Sequence, residues 1–121
     1  MNYENKLNQT KSSYPFARWQ KMFDHGMEVY SAENCGAMQA IFDDLIAALI
    51  EKGETASETE KIELFRIAIE ATNELDGKTG MVETGERENL CELTNVISEA
   101  AGLNPDNYGK GEGLASEWRD W

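Results

Sequence analysis

Carboxylates are the residues of this 121-residue chain whose spacing carries the most chemistry. Glu63, Glu70 and Glu74 stand at i, i+7 and i+11, and Glu88, Glu92 and Glu99 at i, i+4 and i+11. On helices each set forms one stripe. The like-charged pairs Glu70–Glu74 and Glu88–Glu92 each cost a helix about 0.2–0.5 kcal/mol. Such a stripe is either a plain solvated face or a docking surface for cations. A di-metal carboxylate centre fits poorly, because it needs inward-facing glutamates and usually two Glu-x-x-His pairs, and the chain has one histidine. No metal ligand and no cofactor are assigned. A glycosidase-like acid/base pair would also need a cleft for a sugar, which a small bundle hardly offers.

The other reactive side chains point to structure. His25 has no nucleophile beside it in sequence and reads as a cation in the last turn of a helix, where the dipole favours it. Cys35 and Cys91 fall in helical patterns without metal-ligand spacing, so they read as small buried hydrophobes. The chain has no P-loop, G-x-G-x-x-G, G-x-S-x-G or H-E-x-x-H. The glycines of Asn107–Gly113 lack the Lys-Ser/Thr and the preceding strand of a phosphate loop. No catalytic residue is assigned. Trp118 and Trp121, at i and i+3, share a face if helical; they either fold back on the core or anchor a partner. The candidate partner-binding set is therefore Glu63, Glu70, Glu74, Glu88, Glu92, Glu99, Trp118 and Trp121.

Four helices must position these residues. Residues 1–12 are polar and without periodicity and read as a loose tail before a single helical domain over 13–121. Tyr14-Pro15 opens the first helix, with Phe16, Trp19 and Phe23 on one face and Gly26 as its stop. The second, about Ala32 to Glu51, shows Met38, Ile41, Phe42, Leu45 and Leu49, and stops at Gly53. The third starts at the capping box Ser57–Glu60. Ile62, Phe65, Ile69 and Thr72 line one side of it, and Leu64, Ile67 and Ala71 a second strip nearly opposite. A helix apolar on two sides is usually packed between neighbours; Gly77 and Gly80 break the pattern. The fourth runs from Gly85 or Glu86 to Ala101, with Leu90, Leu93, Ile97 and Ala100 inward. Asn104-Pro105 marks a short turn, and the glycine-bearing end reads as an irregular arm pinned by its tryptophans. The expected fold is all-α, a compact bundle of four main helices. The runner-up is α+β, with a short strand in 27–31 or 108–118.

Composition narrows the partners. The net charge is −12, from 23 acidic and 11 basic residues. Residues 1–30 are nearly neutral, so the excess lies from Glu33 onward. Such a surface repels nucleic acid and anionic lipid and attracts basic proteins; the plainer role of acidity is solubility. No apolar run approaches the length of a membrane span, and MNYENKLNQTKSS has no signal-peptide h-region. The expected location is the cytoplasm, with no membrane and no nucleic-acid partner.

Tyr14-Pro15-Phe16, Met22-Phe23-Asp24, Ala71-Thr72-Asn73-Glu74-Leu75, Glu83-Thr84-Gly85-Glu86-Arg87, Ala101-Gly102-Leu103 and Arg119-Asp120-Trp121 together resemble an uncharacterised family of small all-helical bacterial proteins. The resemblance spans most of the chain after residue 13; Asn107–Gly113 departs from the pattern. It implies an all-helical fold and carries over no site residue.

The function expected from these features is a non-enzymatic acidic binding protein, of the inhibitor or immunity type, that caps a basic partner such as a nuclease toxin. The alternative is a small enzyme or ligand binder with a pocket between helices, lined by His25, Cys35, Cys91, Trp19 and Phe65. A third is an oligomeric scaffold built on the Leu64–Ile67–Ala71 strip.

Overall fold

Asn2 starts the first helix rather than a tail: its side chain accepts from the Asn5 amide at 2.7 Å, an N-cap, and α1 follows over Tyr3–Gln9. In the computed structural model, which describes residues 2–121, the segment read as loose is ordered onto the core by Leu7, which is fully buried. Seven residues hold too few apolar anchors to show a period, so periodicity carries no signal here. A 3-10 turn, Thr10–Ser13, continues it.

α2 spans Phe16–Phe23, and Phe16 and Trp19 are buried. Phe23 is 45% exposed; the helix ends there, and Met22 packs on the core instead. Phe16 meets Trp19 edge-on at 5.3 Å and lies 6.0 Å from Phe42 on α3, Ala32–Lys52. Tyr30 joins this aromatic cluster from a 3-10 turn over Glu28–Tyr30 and donates to the Met81 carbonyl at 3.2 Å. No strand forms at 27–31 or anywhere else among the described residues.

α3 begins at Ser31, which accepts from the Asn34 amide, and stops at Gly53, φ +89°. Its apolar face packs along α4, Glu58–Thr79, in the most extensive contact between two elements. Ser57 caps α4 as the sequence indicates, accepting from the Glu60 amide at 3.1 Å. Gly77 does not break α4. One interior glycine costs about 1 kcal/mol, and the helix runs on to Gly80, whose left-handed φ of +66° ends it. α5, Thr84–Ala100, opens on a reciprocal box between Glu83 and Glu86. Leu90, Leu93 and Ile97 enter the core from it. Two 3-10 turns, Pro105–Asn107 and Gly109–Gly111, lead to a last turn, α6, Ala115–Trp118. Gly113 is required here: its φ is +112°, and a Cβ would strike the Asn95 amide. The architecture is all-α, and one core cluster runs from Leu7 to Leu114.

α4 is not packed between neighbours. Phe65, Ile69 and Thr72 are buried, but Leu64 and Ala71 are only partly covered and Ile67 is 54% exposed. Lys61 occupies the inward face with them, 6% exposed. Its ammonium donates to the Glu54 carbonyl at 2.8 Å and the Ala101 carbonyl at 2.9 Å, and sits 5.1 Å above the Tyr3 ring.

Leu7→Ala is expected to cost about 2–5 kcal/mol, the usual loss for a buried leucine, measured by urea unfolding followed by tryptophan fluorescence. An unchanged midpoint would return residues 2–12 to the status of a tail.

Candidate interaction surface

Helical periodicity places Glu63, Glu70 and Glu74 on the outer side of α4, all exposed. They are not bare. Arg66 pairs with Glu63 and, at 2.5 Å, with Glu70; Lys78 pairs with Glu74 at 3.3 Å. The Arg66 hydrogen bond holds the Glu63 carboxyl below its ordinary range. The repulsion expected between Glu70 and Glu74 is thus offset by a cation at each end, an arrangement read only when all i,i+3 and i,i+4 partners are placed together.

Glu88, Glu92 and Glu99 are exposed on α5, and no ion pair holds them among the described residues. Cations stand nearby all the same. Glu92 borders a depression with Arg18 and Asn89, and Glu99 one with Lys6 and Gln9. The near-neutral N-terminal segment lies along one side of this stripe.

Trp118 and Trp121 are both half-buried against the core. They do not share a helical face, because α6 ends at Trp118 and Arg119 is extended. Asn73 on α4 fastens the arm: its amide donates to the Trp118 carbonyl at 2.9 Å and accepts from the Asp120 amide at 3.1 Å. Arg119 closes the end, donating to the Trp121 carbonyl at 2.5 Å and lying 5.7 Å from its ring. The arm is thereby fixed to α4, and to α5 as well, where the Asn95 amide, between Glu92 and Glu99 on the stripe face, donates to the Glu112 carbonyl at 3.1 Å.

On its other side the α4 stripe borders an apolar groove of about 280 Å³ between α3 and α4. Ile41, Leu45 and Ala48 line one wall and Leu64, Ile67, Ala68 and Ala71 the other, with Asp44 at the edge. This is the second apolar strip of the sequence, left open.

The residues expected to line an interhelical pocket are not brought together. Trp19, Cys35 and Phe65 are core side chains, Cys35 donating to the Tyr30 carbonyl at 3.5 Å. His25 is exposed in the turn after α2, and Cys91 is partly buried on α5. Both cysteines are free, and burial raises both thiols. A different, polar depression of about 310 Å³ opens at Lys61, beside Glu58, Asn104 and Tyr108. Sequence reading missed it. Its signal was a lysine set at helical spacing among Phe65, Ala68 and Thr72 on an otherwise apolar face. Among the described residues no cluster of three or more His, Cys, Asp or Glu is arranged to hold a metal, and no helix is long and apolar enough to cross a membrane.

Lys61→Met keeps the stem but orphans two carbonyls, and is expected to cost about 1–3 kcal/mol in chemical unfolding; an unchanged stability would show that water replaces the ammonium. All four tyrosines are shifted up, each by burial first. A hydrogen bond and charge from Asp43 add at Tyr14, charge from Glu86 adds at Tyr30, and Glu58 helps push Tyr108 up to about 12. A phenol raised in the folded state stabilises fully below its unfolded value of about 10, and that contribution fades as pH climbs through the folded value. Phenolate absorbance should therefore show no tyrosine titrating near the ordinary value in the folded protein and all of them in urea, with unfolding favoured progressively above it. A folded-state titration at the ordinary value would contradict these contacts.

No protein-family model matches the chain, and no curated protein or solved structure does.

Proposed function

We propose that this chain is a non-enzymatic acidic binding protein that caps a basic partner, in the manner of an inhibitor or immunity protein for a nuclease toxin or another nucleic-acid-binding protein. The observation that carries the reading is how the charge is disposed. After residue 30, Lys52, Arg66, Lys78 and Arg119 are engaged by carboxylates and Lys61 is buried, which leaves Arg87 and Lys110 as the remaining cations of that stretch among the described residues. The carboxylates opposite them number far more and are mostly exposed. A field of one sign over a small body steers an oppositely charged partner and raises its on-rate. The all-helical resemblance supplies no partner.

The expected result is capture, from a lysate of the source cell at low salt, of a basic protein whose association rate falls about tenfold or more as salt rises from low to physiological. Glu70→Gln/Glu74→Gln/Glu88→Gln/Glu92→Gln should stay folded and slow that association while changing dissociation little. A neutral or acidic captured partner, or an on-rate indifferent to salt and to the quadruple variant, would end the proposal.

A further inference from the structure

We infer that the groove between α3 and α4 seats a basic amphipathic helix of the partner protein. The inference rests on the reading just given and adds to it the docking surface and the shape of the segment that docks.

Two neighbouring helices with an open seam between them are a ready receptor for a third helix, whose apolar residues at i, i+3 or i+4, and i+7 drop into the seam. The seam here has the needed lining. Ile41 and Ala48 on α3 face Leu64, Ile67 and Ala71 on α4, and none of these five is fully buried. Ile67, a β-branched side chain in the middle of a long helix, is more than half exposed. Nothing in helix formation favours isoleucine there over a polar residue, and the sequence places it on a strip rather than alone.

Charge selects the occupant. On α4, Glu63, Glu70 and Glu74 fall within about one residue's rotation of the apolar strip, along its outer side. On α3, Asp44 edges the groove, and Glu51, one heptad on, lies on the same side of that helix. Carboxylates thus flank the seam on both helices. A helix with an apolar stripe and lysines or arginines to either side meets apolar wall with apolar stripe and rim carboxylate with cation. Arg66 and Lys78 do not block this. Their pairs with Glu63, Glu70 and Glu74 are exposed, and exposed pairs are exchanged at little cost. A second copy of the chain is the wrong occupant. A two-fold contact would set each patch against itself, bringing the carboxylate rims of the two copies together.

The test uses a synthetic helical peptide of leucine and lysine, with leucines at i, i+3, i+4 and i+7, and a scrambled peptide of the same composition. Binding is read by fluorescence anisotropy. The amphipathic peptide is expected to bind about tenfold or more tighter than the scrambled one, a difference of ~1.4 kcal/mol. Ile67→Asp should remove that preference. This variant makes the protein more acidic, so plain electrostatic attraction predicts the opposite, tighter binding. Ile67 is exposed enough for the change to leave the fold intact, which circular dichroism and the unfolding midpoint check; Ile67→Ser gives the same reading without added charge. Equal binding of the two peptides, no binding, or indifference to both variants overturns the groove assignment. So does a dimer in sedimentation that Ile67→Asp dissociates, since that would make a second copy the occupant. Failure here is distinct from failure of the broader reading: a basic partner captured equally well by Ile67→Asp keeps the acidic binding protein and removes the groove, whereas a non-basic partner removes both.

Discussion

The Lys61 ammonium is the contact on which most of the arrangement depends. A buried cation is tolerated only when its donors are satisfied, and each acceptor of Lys61 comes from a different part of the chain. Glu54 lies in the α3–α4 loop, Ala101 at the end of α5, and Tyr3 in the first turn of α1. Lys61 itself sits one turn into α4. The carbonyl at Ala101 is among those a helix end leaves without a partner, and a cation suits the negative end of the dipole. One side chain therefore fixes where the N-terminal helix crosses, how tightly the α3–α4 connection turns and where α5 stops. An apolar residue at the same place would pack but would not discriminate among these placements.

Around that point the molecule divides into a well-filled interior and an edge left unfinished. The aromatic cluster of Phe16, Trp19, Tyr30 and Phe42 joins α2, the 3-10 turn and α3, and Trp19 is tied to α5 by its indole donating to Asn89 at 3.0 Å. The C-terminal arm closes against α4 through Asn73, an amide that copies the donor and acceptor of a backbone strand. These contacts cover α4 on the core side and on the arm side. The remaining side, where Leu64, Ile67 and Ala71 face Ile41 and Ala48, has no further element to meet.

The surface charge follows the same division. Within α4 the carboxylates are interleaved with Arg66 and Lys78, which lowers the self-repulsion that a −12 chain would otherwise concentrate on one helix. Along α5 the compensation comes from a different segment, as Lys6 and Arg18 approach Glu99 and Glu92 without pairing closely. The α3 side of the groove has no such relief at Asp44 and Glu51 among the described residues. Long-range attraction for cations and a local apolar seat thus coincide at one edge of the bundle.

Local rules alone determined much of this. Ser57 with Glu60, the positive-φ glycines at 53, 80 and 102, and the period of Met38, Phe42, Leu45 and Leu49 act within one or two turns of helix. They set α3, α4 and α5 to within a residue or two. The excess charge and the two apolar strips of α4 were equally legible. Tertiary structure decided what a strip or stripe does. Leu7 reads as an isolated leucine in a polar stretch, and only the hollow between α3 and α5 makes α1 worth forming. Phe23 matches the period of its helix yet lies beyond the core it would fill. Gly77 looks like a stop and is carried through by the packing of a long helix. The second strip of α4 was legible as apolar, but whether a neighbour covers it depends on where α5 and the arm come to rest. Those placements are set by contacts forty or more residues apart, such as Lys61 to Ala101 and Asn73 to Trp118. Periodicity reports which face of a helix is apolar; it holds no information about which faces meet, because that depends on the three-dimensional fit of elements distant in sequence.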